Sequence, residues 1–267
     1  MKIFNKITVI TFTLCLLISS ITLPAITMGT TESFYKQQLK ECNIYPEPDK
    51  TTFVNYIGGS CYQSAKLTSE QFDEISKHIS SFLSNKTDTF ELTLDNIILN
   101  GQVTNRVSIF GQEAVTHMND VKALFNTVKY ISIVCIVLLI ISATWMIFKR
   151  KEIKNYLFKY SLITIGFVLC SALIFILVVF IETLHKYSAF SIDKFSYMLW
   201  TYLHYVFFPF DQAKFNGSIF TDTLTSILTL DFFMGCVKIV VSSIVLTISA
   251  WLVACLIIKK KTNKKML

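Results

Sequence analysis

The sequence predicts a mostly α-helical integral membrane protein, with four transmembrane helices, a small α+β extracytoplasmic cap and an aromatic interfacial or re-entrant helix. Three observations carry that prediction. Hydrophobic residues make up 52% of the 267 residues and charged ones only 16%, with a mean hydropathy of +0.52, which ordinary soluble domains do not reach. Four uncharged runs are long enough to span a bilayer. Basic residues collect in three short segments that all fall on one side of those runs.

The same composition excludes other classes. Twenty-three Phe and 11 Tyr against 8 Gly and 4 Pro rule out collagen-like and low-complexity chains and argue against a Gly-rich nucleotide fold. A formal charge of +7 would point to nucleic acid only if the basic residues lined one water-facing surface. They flank the apolar runs instead.

The four runs are residues 7–28, 130–148, 160–181 and 239–258. About 20 apolar residues at 1.5 Å rise cross the hydrocarbon, where only a helix satisfies its own backbone. Residues 1–6 carry Lys2 and Lys6, and the 149–159 loop carries Lys149, Arg150, Lys151, Lys154 and Lys159. The 259–267 tail carries Lys259, Lys260, Lys261, Lys264 and Lys265, so these segments hold 12 of the 25 basic residues. The positive-inside rule puts all three, and both termini, in the cytoplasm. Residues 29–129 and 182–238 are then extracytoplasmic.

The first run has the basic start and small-residue patch, near Pro24 and Ala25, of a cleaved signal peptide. At 22 uncharged residues the run exceeds the usual signal core, and an uncleaved anchor is the preferred reading. Five of the seven cysteines lie in or beside the runs as small apolar fillers. Cys42 and Cys61 lie outside, as a disulfide or as two free thiols with equal weight.

Within residues 29–129, Thr68 and Gln71 form a capping-box start, and Phe72, Ile75, Ile79 and Phe82 recur at helical spacing. Phe90, Leu92 and Leu94 alternate, Asn100-Gly101 offers a two-residue turn, and Val103, Val107 and Ile109 resume the odd positions, which predicts a β-hairpin. From Phe110 the pattern is helical and runs into the second span. His117 lies there with Glu113 four residues before it and Asp120 three after, on one face. Such carboxylates orient an imidazole and raise its pKa, although ordinary surface charges give the same spacing. A straight helix would hold His117 about 20 Å above the hydrocarbon edge, so this helix is expected to bend or lie flat at the lipid boundary.

Residues 182–238 hold twelve aromatic residues between Tyr187 and Phe220. The uncharged stretch 195–210 reads as a helix too short to cross. Tyr197, Trp200, His204 and Phe208 share one face of it. His204 is an ionisable group in an aromatic, lipid-level surround, with functional and structural readings at parity. His78 and His185, each beside a lysine, are expected at solvent or headgroup level and take no chemistry.

Several chemistries are disfavoured by missing motifs: no G-x-S-x-G elbow, H-E-x-x-H, Walker loop or paired C-x-x-C occurs. Near-chargeless spans without an inverted repeat argue against an ion pathway.

The stretch FGQEAVTHMNDVKALF, residues 110–125, resembles the H-M-x-D-V-K signature of the bacterial lipoprotein intramolecular transacylase family. The second outer segment resembles the family's F-H-x-x-F and W-x-F-D-P-x-x-D-x-L-I-x-x-x-P-x-x-F-F motifs at His204, Phe207, Phe215, Asp222, Leu224 and Phe232-Phe233. Phe215 replaces the family tryptophan, Gly217-Ser218-Ile219 the F-D-P triplet, Thr229 a proline, and Leu203 the Phe before His204. The resemblance, that of a divergent member, covers the whole chain.

It implies a reaction in which the sn-2 acyl chain of a diacylglyceryl lipoprotein moves to the α-amine of its own N-terminal cysteine, giving the lyso form. His117 and His204 stand at the positions of the catalytic pair. Glu113, Asp120, Lys122 and Asp222 support them, and Tyr197, Trp200, Phe207, Phe208 and Phe215 line the acyl chamber. His117 is assigned the general base and His204 the oxyanion donor, with exchange of roles left open. Diacylglyceryl lipoproteins and membrane lipid are the implied partners, with no nucleic acid, nucleotide, metal or other cofactor. Two competing readings remain: a non-catalytic membrane-anchored binding or accessory protein, and a lipid hydrolase using the same histidines.

Overall fold

The computed structural model describes residues 2–47, 50–187, 191–207 and 222–263, with the side chains at 55, 60–64, 207 and 261–263 outside the description. Its helices are α1 (Lys2–Thr30), α2 (Glu32–Glu41), α3 (Ser69–Leu83), α4 (Gln112–Phe148), α5 (Arg150–Tyr187), α6 (Ile192–Phe207), α7 (Thr223–Ile227) and α8 (Leu230–Asn263). Four of them, α1, α4, α5 and α8, are long and apolar enough to cross a membrane. The chain divides into two compact units, one of residues 1–25, 128–198 and 238–267, the other of residues 26–127 and 199–237.

The first unit is helical, and its large apolar side chains are mostly on the outside: Ile140, Phe167, Leu173 and Leu246 are all more than 60% exposed, as suits surfaces solvated by lipid tails. Lipid tails are as apolar as leucine, so association there rests on packing and on polar groups that bond between helices. Val9, Ile153, Leu157 and Cys255 form a small buried cluster edged by Trp145 and Trp251. Thr13 Oγ1 lies 3.2 Å from Ser161 Oγ, and Trp251 Nε1 donates to the same Ser161 oxygen at 3.0 Å. Asn5 donates to Glu152 at 3.1 Å and accepts from Trp145 Nε1 at 3.2 Å. Thr22 donates to Ser132 at 3.3 Å.

The second unit is the α+β cap. Strands β1 (Thr51–Ile57), β2 (Ser60–Thr68), β4 (Ile97–Leu99) and β5 (Gln102–Thr104) form one antiparallel sheet in the order β1-β2-β4-β5, and β3 (Thr93–Leu94) pairs with β6 (Val107–Ser108). The expected hairpin is present around Asn100 and Gly101, whose φ values of 49° and 81° are those of a type I′ turn. A second such turn, Gly58-Gly59 at 60° and 81°, joins β1 to β2. The expected capping box on α3 is formed: Thr68 Oγ1 accepts from the Gln71 N–H and Gln71 Oε1 from the Thr68 N–H. Phe72, Ile75, Ile79 and Phe82 are all within 2% of full burial.

One expectation, the solvent-level placing of His78, is corrected. Helix α4 runs from Gln112 to Phe148 as one uninterrupted element of 37 residues, so the helical pattern that begins at Phe110 continues into the second span. His78 is not at solvent level: its half-buried ring packs 5.6 Å from Phe90 and 6.4 Å from Phe110, because α3 turns that face onto the core. The two outer segments share one core, since Leu224, Ile227 and Phe232 lie in the same buried cluster as Phe72, Phe82 and Phe90. His185 is exposed at the end of α5, as expected, and Cys42 carries a free thiol, while the Cys61 side chain lies outside the described residues.

Candidate active site

His117 and His204 come together within the cap unit. Helix α4 carries His117 in its second turn, on a segment anchored by buried Ala114, Val115 and Met118. Helix α6 carries His204 in its last turn. The two rings are 6.3 Å apart between centroids and inclined by only 22°.

His204 is 8% exposed. Its Nδ1 lies 2.9 Å from the Trp200 carbonyl oxygen one turn earlier. A carbonyl can only accept, so Nδ1 carries the proton, and in the neutral ring Nε2 is left with a lone pair. Burial pushes the His204 pKa below the ordinary imidazole value, and nearby His117 pushes the same way, against the Trp200 bond. A neutral ring with an acceptor Nε2 is the result. It conflicts with the expectation that His204 supplies a hydrogen-bond donor there.

Trp200 supports this ring on one side, edge-on at 4.0 Å between centroids, and packs 4.0 Å from Phe233 on the other. Phe233, at the start of α8, reached the sequence reading only as part of a motif and not as a site residue. Tyr197 sits on α6 a turn before Trp200 and is 47% exposed. The Phe207 side chain and all of Phe208 and Phe215 lie outside the described residues.

The remaining supporting residues separate. Glu113 and Asp120 are exposed on α4. Lys122 donates from Nζ to the Thr87 carbonyl at 2.8 Å and lies 4.2 Å over the Phe82 ring, so it ties α4 to the cap core. Asp222 is 3% exposed. Its Oδ1 accepts from the Leu224 N–H at 2.9 Å, which caps α7, and its Oδ2 from the Gly111 N–H at 2.6 Å, directly before α4. Burial pushes the Asp222 carboxyl above its ordinary value, opposed by the Leu224 and Gly111 bonds and reinforced by Glu113. Among the described residues, no three His, Cys, Asp or Glu are grouped to hold a metal.

The family model described as lipoprotein intramolecular transacylase Lit matches residues 6–233, most of the chain. The chain belongs to the Lit family. It is therefore a multi-pass membrane acyltransferase that acts on lipoproteins. Among solved structures, the membrane-integral lipoprotein intramolecular transacylase Lit from Bacillus cereus is similar over 100% of this chain and 99% of its own, with a TM-score of 0.54 and 15% identity, which is a likeness of fold. No curated protein matches the chain.

Proposed function

We propose that this Lit-family chain moves the sn-2 acyl chain of a diacylglyceryl lipoprotein to the α-amine of the same N-terminal cysteine, with His117 and His204 as the catalytic pair. The observation that carries the reading is the near-parallel approach of the two imidazoles at 6.3 Å. Rings this close bring their nitrogens to one small site, where a single reacting centre can be served by a base from one imidazole and a donor from the other. Donor and acceptor belong to one molecule, so the step is intramolecular, and holding the amine against the ester replaces an encounter between two solutes.

The tautomer of His204 favours exchanging the roles that the sequence reading assigned. His204 Nε2, unprotonated and kept so by burial, takes the proton from the α-amine as it attacks the ester carbonyl. His117 donates to the oxyanion that develops on that carbon. As the C–O bond breaks, the proton on His204 passes to the glyceryl oxygen. One amide forms, one ester is lost, and the mass of the lipoprotein is unchanged.

The 12 basic residues at the ends of the spans support cytoplasmic termini and an extracytoplasmic cap. The reaction then takes place at the outer leaflet, where the substrate is anchored. Mass spectrometry of a diacyl lipoprotein incubated with the wild-type chain and with His117→Ala and His204→Ala tests the proposal. Wild type should give an acyl shift without mass change, and each variant should reduce it by at least about 10³-fold. Turnover by both variants, or release of free fatty acid in place of the shift, overturns it.

A further inference from the structure

We propose that Asp222 is a positioning residue for this reaction: its carboxylate clamps the start of α4 through the Gly111 N–H and thereby sets His117 at its distance from His204. The inference rests on the two-histidine reading above. Asp222 lies far from His117 in sequence, but its bond falls on the residue immediately before α4, six positions before the imidazole.

The site around the clamp is built to hold it. A Cβ added to Gly111 would meet Asp222 Oδ2 at 2.8 Å, Gly59 N at 3.1 Å and the Gly58 carbonyl carbon at 3.2 Å. Only a glycine lets the carboxylate and the Gly58-Gly59 turn approach so closely. The neighbouring Thr223 hydroxyl reaches the Ile109 carbonyl at 2.6 Å and the Tyr56 carbonyl at 3.0 Å. The Gly58 N–H donates to the same Ile109 oxygen at 2.8 Å. The chain entering α4 is thus held at Ile109 and at Gly111 by consecutive residues, Thr223 and Asp222.

The same short stretch also serves the other histidine, since Phe233 supports Trp200 and Trp200 supports His204. Residues 222–233 therefore brace both imidazoles, one by a hydrogen bond and one by ring packing. A displacement of about 1 Å in such an arrangement costs about 100-fold in rate.

Asp222→Asn and Asp222→Ser separate this role from simple stability. Asn and Ser cap a helix about as well as Asp, so α7 keeps its cap. An Asn amide that caps through its oxygen turns an N–H2 towards the Gly111 N–H, and a Ser hydroxyl is too short to bridge both helices. The expected result is a kcat about 30- to 100-fold lower with KM within about twofold and a nearly unchanged unfolding midpoint. Thr225→Ala, which removes a hydroxyl bonded to the Asp222 backbone N–H and carbonyl but leaves the Asp222 carboxylate bonds to Gly111 and Leu224 in place, should keep the wild-type kcat.

Titration of 13C-labelled histidines gives a readout independent of turnover. His204 should titrate closer to the ordinary imidazole value in Asp222→Asn, because a shift of α4 relieves both the burial that chiefly lowers its pKa and the lesser push of His117. A kcat per folded enzyme within about threefold of wild type, an equal loss in Thr225→Ala, or an unmoved His204 titration overturns the clamp. A wild-type chain that makes no lyso product while the titration still moves refutes the transacylase reading and leaves the clamp standing.

Discussion

The His204 pKa is pushed below the ordinary imidazole value chiefly because its ring is taken out of water, and Trp200 packs edge-on against that ring. A base of this kind works only when neutral, so the acid limb of the kcat profile belongs below the usual imidazole pKa of about 6.5. Trp200→Ala re-admits water to the ring while leaving the backbone acceptor of Nδ1 in place. Its expected effect is a limb that moves up towards about 6.5 and a plateau kcat about tenfold lower. A pH profile of lyso-lipoprotein formation measures both. An unmoved limb would mean that Trp200 does not set the protonation of His204.

At the scale of the element, the cap depends on turns that only particular backbones can make. Gly58 and Gly101 both sit at positive φ, but a Cβ at Gly58 would meet the Ser108 carbonyl oxygen at 2.6 Å, whereas at Gly101 nothing lies within 4 Å. Gly101→Ala should cost about 1–2 kcal/mol from the left-handed backbone alone. Gly58→Ala should cost more, because β1 must also move away from the chain before α4, and denaturant midpoints in detergent will rank the two. Thr68→Ala, which removes half of the α3 capping box, should cost about 1 kcal/mol on the same measurement.

Legibility also divides at this scale. The Asn100-Gly101 hairpin and α3 were readable because turn chemistry and helical period are local. The β1-β2 hairpin carries an equally strong Gly58-Gly59 signal, but a bulge between Val54 and Tyr56 breaks the alternation, so the buried positions fall at Val54 and Ile57. Helix α2 is short and polar around Tyr35 and Leu39, and its buried face is visible only once Phe232 stacks on Tyr35 at 5.8 Å.

Across the whole molecule, the two outer segments share one core. Phe232 is 3% exposed and lies in the same cluster as the α3 face, so Phe232→Ala should destabilise the cap by about 3–5 kcal/mol. Limited proteolysis should then cut within residues 29–129, although the substitution lies in the other segment. The proposed orientation has its own test: a reporter active only in the cytoplasm should work when fused after Leu267 and fail when inserted at the Asn100-Gly101 turn. The reverse pattern would turn the active face inwards.

Hydropathy, charge and local pattern along the chain were enough to determine the four spans, the small cap and the α3 helix, since each depends on neighbours within a few turns or on the partition between lipid and water, while the two histidines were singled out as a pair by the resemblance to the family motifs. Tertiary structure alone decided that α4 and α6 bring their imidazoles within 6.3 Å, that the His204 proton is committed to Nδ1, and that Asp222 reaches the start of α4. Each of these is a directional contact of a few ångströms. Such contacts are set by how distant segments pack, and residue order carries no record of that packing at so short a range.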